Sequence, residues 1–479
     1  MQLTKIIATV GPDILSPQAI TDLIAKGVSV FRFNFKHNTV EWHSEGIQMV
    51  NRVSEEIGKP VATLIDLQGP SIRIHMPTDS LALKKNEKIY FGEVVFEKNV
   101  KGLSITYPNI ITSLNDGQLI VADDGNFRFT VHKEGSQTYL VSHTAGVLLN
   151  KKSLNIPGGD FPFPALVARD FEGIQLAARE EVDYIALSFV RSKADIDDLR
   201  AEMKKYKITA DVISKIETMK ALDNIDEIIA ASDGIMVARG DLGVELPFEE
   251  VPYYQKLLIA KCLDASKPVI TATQMLNSMI EHPIPTRAEV SDVANAVYDF
   301  TDAVMLSGET AFGNYPFKSV EAMQRITTFN EKKLTFDLRK RYKFVTADNE
   351  ARVCEMAYNL FLSLAKDSPE ELGGFLVFTR SGRTARLLSR YRPRPAMPIF
   401  AFTDNETVRD KLALSFAVQP ILFKEGEARS DVKKDQILSA IAHLTGAKLV
   451  KKGKLIIVLH GDKWAVTGGT STVKLLKAQ

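Results

Sequence analysis

Short β-branched runs alternate with amphipathic helical patterns along most of this chain. That alternation constrains the fold more than any other feature, because parallel β/α units have few ways to cover both faces of their strands. Residues 4–11 (TKIIATVG) read as a strand. Ser16 then stands as a helix N-cap before Pro17, Ala19, Ile20, Leu23 and Ile24 form an apolar stripe, and Gly27 closes the helix. A second strand follows at 30–35, a helix over 40–57 and a third strand at 61–67. The pattern then breaks. From Arg73 to Phe163, short alternating runs are separated by turn signals such as Asn115-Asp116-Gly117 and Asp123-Asp124-Gly125, and no amphipathic helix is evident. This predicts a small all-β domain inserted into the series. After Pro164 the β/α pattern resumes, with strands at 184–189, 211–217, 234–239, 269–273 and 302–306. Thr286 and Glu289 make a capping-box pattern, followed by an apolar face of Val290, Val293, Ala294 and Val297. Three strands before the insertion and five after it make eight, the number that closes a (β/α)8 TIM barrel.

Residues 331–350 are charge-rich and suit a connection. Beyond them helix 350–366, strand 375–378, helix 382–390, strand 398–402, helix 404–414 and strand 455–459 predict a third, α/β domain. The expected division is a catalytic barrel of residues 1–72 and 164–337, an inserted β-barrel lid of 73–163, and a C-terminal α/β domain of 338–479. Lys plus Arg number 60 and Asp plus Glu 59, a balance that argues against nucleic-acid or membrane-surface binding. Cys262 and Cys354 are the only cysteines and lack metal-ligand spacing, so neither a disulfide scaffold nor a structural zinc is expected. Met1 to Val10 lacks a signal-peptide core, and no stretch approaches the ~20 apolar residues of a membrane span. A soluble, cytoplasmic protein is the expectation.

Barrels of this kind place their chemistry where strands end. Here those ends read Thr9-Val10-Gly11-Pro12, Arg32-Phe33-Asn34, Asp66, Lys215-Ile216-Glu217, Arg239-Gly240-Asp241, Thr273-Gln274 and Ser307-Gly308-Glu309. In a strand, residues two apart share a face, so Lys215 and Glu217 present an ammonium beside a carboxylate. Each segment alone has an ordinary structural reading as a turn, a cap or an ion pair. Together they set two Arg, one Lys and several carboxylates on one barrel face, a mixture that suits a metal–phosphate site.

The stretches TKIIATVGP, RFNF, DLQGPSIR, SKIE, MVARGDLGVE, TATQML, PTRAEVSDVANAV and MLSGETAFGNYP, in this order and spacing, resemble the pyruvate kinase family over nearly the whole chain. The resemblance implies transfer of the phosphoryl group of phosphoenolpyruvate to ADP, giving pyruvate and ATP. It implies Lys215 as the catalytic lysine, Arg32 as the phosphate clamp, and Glu217 and Asp241 as ligands of Mg²⁺ or Mn²⁺. Backbone around Gly240 and Asp241 would hold the substrate carboxylate. Thr273 would sit beside the enol carbon, in the relay that protonates it. Nucleotide contacts carry over to Thr9, Pro12, Asn34, His37, Arg73 and Arg169, the last standing where many members have Lys. The inserted domain would act as a lid, with Asp123-Asp124 near the nucleotide's metal. The segment Thr379-Arg380-Ser381-Gly382-Arg383-Thr384 matches one that binds the phosphate of an allosteric sugar phosphate in relatives, and a nucleotide effector is also open. The facing loop, 466–472, is likewise rich in hydroxyls and Gly. Tetramers are usual in the family.

The chain departs from the family at its K⁺ site. The family motif NFSH reads Asn34-Phe35-Lys36-His37 here, and DTKGPEIRT reads Asp66-Leu67-Gln68-Gly69-Pro70-Ser71-Ile72-Arg73-Ile74. Asn34 and Asp66 remain, but the Ser and Thr oxygens are gone. Lys36 is expected to replace the monovalent cation, so that K⁺ is not required; the alternative is a lysine that swings out to solvent. Two other readings stay open on sequence: a Mg²⁺-dependent barrel aldolase, which would need neither lid nor nucleotide residues, and a non-catalytic regulatory paralogue.

Overall fold

The computed structural model describes all residues except 1, 335–337, 341, 343, 347, 395, 424–433 and 462–467, with the side chains of 340, 434 and 435 also outside it. Eight parallel strands close a barrel in sequence order: β1 (Lys5–Thr9), β2 (Val28–Asn34), β3 (Ala62–Asp66), β4 (Tyr184–Leu187), β5 (Asp211–Ile216), β6 (Gly234–Ala238), β7 (Val269–Ala272) and β8 (Ala303–Leu306). Each falls within a few residues of its expected place. Successive side chains alternate between the two faces. Ile7, Val30, Leu64, Ala186, Ile213, Met236, Ile270 and Met305 fill the interior as one apolar cluster. Their neighbours, among them Ile6, Phe31, Ile65, Ile185, Val212, Ile235 and Val304, face the surrounding helices. Helix signals act as read: Ser16 accepts the Ala19 amide (3.2 Å), and Thr286 and Glu289 form a complete capping box. Val290 is a correction. It is 37 % exposed, and Ala296 joins Val293 and Val297 on the buried face instead.

Between β3 and β4 the chain forms a seven-stranded, barrel-like sheet with a separate core of Phe91, Leu103, Ile120, Phe129, Val131 and Leu140. It is not wholly β, since Val94–Glu97 makes a helical turn and Pro108–Ser113 a 3-10 turn. Both are too short to show an amphipathic period. Beyond the barrel, helix Asn349–Asp367 leads into a five-stranded sheet in which four parallel strands are joined at one edge by antiparallel Thr470–Lys477. The expected helix 404–414 is shorter: Glu406–Lys411, then a 3-10 turn at Leu412–Leu414.

That turn positions the C-terminal domain. Ala413 and Leu414 belong to the apolar cluster inside the barrel. Around it, Arg392 is 1 % exposed and donates to the Phe300 carbonyl (2.8 Å) and the Asp302 carboxylate (2.8 Å), whose other oxygen accepts the Phe416 amide (3.0 Å). Ala417 N–H donates to the Leu3 carbonyl (3.0 Å). No described helix is long and apolar enough to cross a membrane.

Asp183, just before β4, is buried and accepts the Thr63 amide (2.8 Å) and hydroxyl (3.2 Å). Burial, helped by the nearby Asp410 charge and opposed by the Thr63 bonds, pushes its carboxyl up to about 7 from 3.8. The raised folded pKa fixes the sign. The contribution to stability is full below the unfolded value near 3.8 and is lost as pH rises through about 7. Asp183→Asn is expected to remove a fall of up to ~4 kcal/mol between about pH 4 and 8, read from urea midpoints of both proteins across that range. The same pH slope in both would show that another group titrates.

Candidate active site

The inward period of each strand continues past the apolar interior into a polar layer. Two residues beyond Ile7, Val30, Leu64, Ala186 and Ile213 stand Thr9, Arg32, Asp66, Ser188 and Lys215. Asp66 is the hub and is 1 % exposed. Its Oδ2 takes Arg32 Nε and Nη2, both at 2.7 Å, and its Oδ1 lies 3.1 Å from Lys215 Nζ and 3.3 Å from Ser188 Oγ. Lys215 also donates to Ser188 Oγ (2.7 Å), and Arg32 Nη1 donates to Thr9 Oγ1 (2.9 Å). Burial alone would raise Asp66, but Lys215, Arg32 and Lys36 outweigh it and hold the carboxyl at about 2. Burial would likewise lower Lys215, yet Asp66, Glu217 and Asp241 keep it firmly protonated.

Glu217 is fully buried. Oε2 accepts the Phe189 amide (2.6 Å); Oε1 lies 3.0 Å from Lys215 Nζ as an ion pair and has no hydrogen-bond partner among the described residues. Asp241 is pushed up to about 6 by burial and then by the Glu217 charge, and the lid's Asp124 adds to that repulsion. A buried carboxylate oxygen left over from hydrogen bonding, beside a second carboxyl raised by the first, fits a hard divalent cation. No group of three His, Cys, Asp or Glu able to enclose a metal occurs among the described residues. Two carboxylates with the remaining positions left to water and substrate oxygens is the pattern of Mg²⁺.

Lys36 does not swing out. It is half-buried, with Nζ 5.3 Å from the centre of the Phe189 ring. Burial and the Lys215 charge lower its pKa, while Glu217, Asp241 and Asp66 act in the opposite sense. Asn34 Oδ1 accepts the Lys36 amide (3.3 Å) and shapes the turn. Leu67 is fully buried and packs in the helix layer with Phe35 and Ile65, so it supplies no ligand.

Thr273 has φ +66°, in the left-handed region that a β-branched residue rarely adopts. It is held there. Arg239, paired with Asp292 (2.7 Å), donates to the Thr273 carbonyl (2.8 Å) and the Ala272 carbonyl (3.2 Å), and the Gly240 amide donates to Thr273 Oγ1 (2.7 Å). A Cβ at Gly240 would lie 3.3 Å from that oxygen, so the glycine accommodates Thr273 as well as any ligand. Its amide is spoken for, which leaves the later amides of helix Arg239–Glu245 to meet a carboxylate. The Thr273 hydroxyl donates to the Ala272 carbonyl (2.7 Å). Sequence reasoning left Arg239 and Ser307 without roles: Arg239 positions Thr273, and Ser307 Oγ at the end of β8 is buried with no hydrogen-bond partner among the described residues.

The remaining expected residues are placed unequally. Thr9 is inside the polar layer, its hydroxyl donating to the Leu306 carbonyl (2.8 Å). Pro12 opens a 3-10 turn, and a Cβ at the preceding Gly11 would fall 1.6 Å from the Ala311 carbonyl oxygen, so only glycine fits. His37 is exposed at the rim, its pKa lowered by partial burial and by Lys36, Arg73 and Arg32. Arg73 enters the lid, its amide donating to Thr106 Oγ1 (3.0 Å). Arg169 is engaged within the fold, stacked over Phe35 at 4.1 Å and donating to the Phe35 (3.2 Å) and Asn38 (2.7 Å) carbonyls. The lid meets the barrel mouth through Gly158 and Glu245 (3.4 Å) and through Asp160 and Lys220 (3.1 Å).

In the C-terminal domain, Thr379 Oγ1 accepts the Gly382 amide (3.0 Å) and Ser381 Oγ the Arg383 amide (3.4 Å). Arg383 pairs with Asp348 (2.5 Å) and Glu350, and Thr384 bonds Glu350 (2.5 Å) and Thr470 (2.8 Å). Of the facing loop, residues 466 and 467 lie outside the described residues.

Two family models match the chain: pyruvate kinase, barrel domain, over residues 1–320, and pyruvate kinase, alpha/beta domain, over residues 365–476. A pyruvate kinase of Sporosarcina psychrophila is 39 % identical over 485 residues, covering 99 % of this chain and 80 % of the relative. Those of Geobacillus stearothermophilus (38 % identical, 98 % of this chain, 80 % of the relative) and Staphylococcus epidermidis (37 %, 99 % and 80 %) agree. With both domains matched and identity near two-fifths along almost its full length, the chain belongs to the pyruvate kinase family.

Proposed function

We infer that Lys215, Arg32 and Thr273 carry out in this chain the reaction of its family, transfer of the phosphoryl group of phosphoenolpyruvate to ADP to give pyruvate and ATP. The observation that carries this reading is the buried layer in which Lys215 and Arg32 share the Asp66 carboxylate beside a Glu217 oxygen that has no hydrogen-bond partner among the described residues. Arg32 and Lys215 offer fixed positive charge to a phosphoryl group in flight, and they need no reorganisation because Asp66 already holds them. Glu217 and Asp241 would hold Mg²⁺, or Mn²⁺, which neutralises phosphate charge when bound. Thr273, held by Gly240 and Arg239, orients the end of the relay that protonates the enol carbon. The lid, carrying Asp124, excludes water from the transfer. Backbone from Asp241 onward, rather than the Gly240 amide that Thr273 already holds, receives the substrate carboxylate, and Thr9, Pro12, Asn34, His37 and Arg73 frame the nucleotide. Arg169 is better read as a brace for the Phe35–Asn38 turn.

Lys36 replaces K⁺ in this reading. Its ammonium supplies a compact charge among Glu217, Asp241 and Asp66, where a cation would otherwise be needed. The effector role of Thr379, Ser381, Gly382, Arg383 and Thr384 is retained in a narrower form: a sugar phosphate or nucleotide would have to draw Arg383 away from Asp348 and Glu350. A homotetramer is supported by an apolar groove of about 510 Å³ beside helix Pro316–Glu331, lined by Val290, Ile326 and the 61 % exposed Phe329.

A coupled assay for pyruvate from phosphoenolpyruvate and ADP tests the activity directly; no turnover would reject it. Lys215→Met is expected to lower kcat about 10²–10³-fold or more, as loss of a ~3–4 kcal/mol contact made in the transition state does, while phosphoenolpyruvate still binds. A variant keeping more than about a tenth of wild-type kcat would remove Lys215 from its role. Activity should be nearly equal in K⁺, Na⁺ and tetramethylammonium at matched ionic strength. Lys36→Ser should weaken catalysis, with poor rescue by K⁺ because Leu67 withholds a ligand. A K⁺ requirement of about tenfold or more over tetramethylammonium, worth ~1.4 kcal/mol, would sink the replacement.

A further inference from the structure

Far from the barrel mouth, a cavity of about 720 Å³ lies where the end of helix Pro316–Glu331, the N-terminal segment and the end of helix Asn349–Asp367 meet. Arg394 lines it. This arginine is 7 % exposed and its guanidinium lies 5.4 Å from the centre of the Phe416 ring, while its Nε and Nη1 are buried with no hydrogen-bond partner among the described residues. That is costly for a guanidinium, whose five N–H groups are normally satisfied when taken out of water. The neighbouring anion does not satisfy it. Glu331 is close enough to favour the charged form of Arg394, but its two oxygens accept the Leu3 (3.1 Å) and Thr4 (2.6 Å) amides. Burial, with the Arg392 charge nearby, lowers Arg394 to about 10, so the group still carries its charge at neutral pH.

The rest of the cavity states what is missing. Its walls include Leu334, Leu362, Ala365 and Ala396, and the exposed Lys332 and Lys366 stand at its edge. Three cations against one already bonded carboxylate favour an anion. Apolar walls over a single buried arginine favour one charge at the end of an apolar body. We propose that this cavity is a binding site for a small monocarboxylate with an apolar body, its carboxylate paired with Arg394 and its body against Leu334, Leu362 and Ala365. The site joins the last barrel helix to the first helix of the C-terminal domain, and none of its residues belongs to the catalytic layer or to the Thr379–Thr384 segment.

The test is calorimetric titration of the full-length protein with benzoate, with phosphoenolpyruvate present to occupy the barrel mouth. Wild type should bind with a Kd on the order of 1 mM and melt at higher temperature as benzoate is added. Arg394→Met should weaken binding by about tenfold or more. It should melt no lower than wild type without ligand, because it removes a buried guanidinium that leaves Nε and Nη1 without hydrogen bonds. Ala365→Phe, which keeps Arg394 and fills the cavity, should lose binding as well, and it serves if the first variant does not fold. Benzyl alcohol has the body without the charge and inorganic phosphate the charge without the body; both should bind more weakly. No benzoate binding by wild type, or equal binding by wild type and either variant, would overturn the site. Phosphate binding more tightly than benzoate would overturn the ligand class.

Discussion

Asp66 binds the site together. Two cations from different strands converge on its carboxylate, Arg32 from β2 and Lys215 from β5, and neither would tolerate burial without it. Ion pairs taken out of water gain little stability unless every lone pair and proton is matched, and removing one member leaves the others exposed to the full desolvation cost. Here the matching spans the barrel: Ser188 from the β4 end bridges Lys215 to Asp66, and Thr9 from β1 accepts from Nη1, the third Arg32 nitrogen. The charge layer is therefore as much a closure of the barrel as a site. Its register follows from the pleat, since the residue two places down each strand is apolar and faces the same axis. A slip of one residue in any strand would turn its charge into the helix layer and an aliphatic side chain into the mouth.

A second constraint is the strain at Thr273. A left-handed β-branched residue persists only where its surroundings over-determine it. Arg239 grips two consecutive carbonyls, and the Gly240 amide fixes the hydroxyl. These contacts join the ends of β6 and β7. The hydroxyl is therefore held in place before any ligand arrives.

The barrel was legible because parallel strands covered on both faces are written as unbroken β-branched runs, each followed by a capped amphipathic helix. The polar layer was legible for the same reason: its residues stand at strand ends, where sequence position fixes direction. What escaped depended on contacts distant in sequence. Arg169 is expected at the nucleotide, and the two carbonyls it donates to lie in the Phe35–Asn38 turn, 134 and 131 residues away. Arg383 reads as an anion ligand, and in the structure it is held by Asp348, the N-cap of another helix, and by Glu350 in that helix's first turn. Val290 fitted the helical period but lies on a face that the chain leaves uncovered. The turns at 94–97 and 108–113 were too short to carry any period.

The 3-10 turn Leu412–Leu414 has a consequence for how this chain can be recombined. Ala413 and Leu414 share one apolar cluster with Ile7, Val30 and Ile213. On β5 Lys215 is the next inward position after Ile213, a rise of about 7 Å. The division into barrel and C-terminal domain that a linear map invites therefore cuts through a common interior. A hybrid carrying this barrel with another protein's last domain would inherit whatever side chains that domain inserts among Ile7, Val30 and Ile213, and a poor fit would be felt as misplacement of the lysine above. Such hybrids are better joined so that the stretch from Arg392 to Val418, which reaches the barrel through Asp302, Leu3 and Lys5, travels with the barrel.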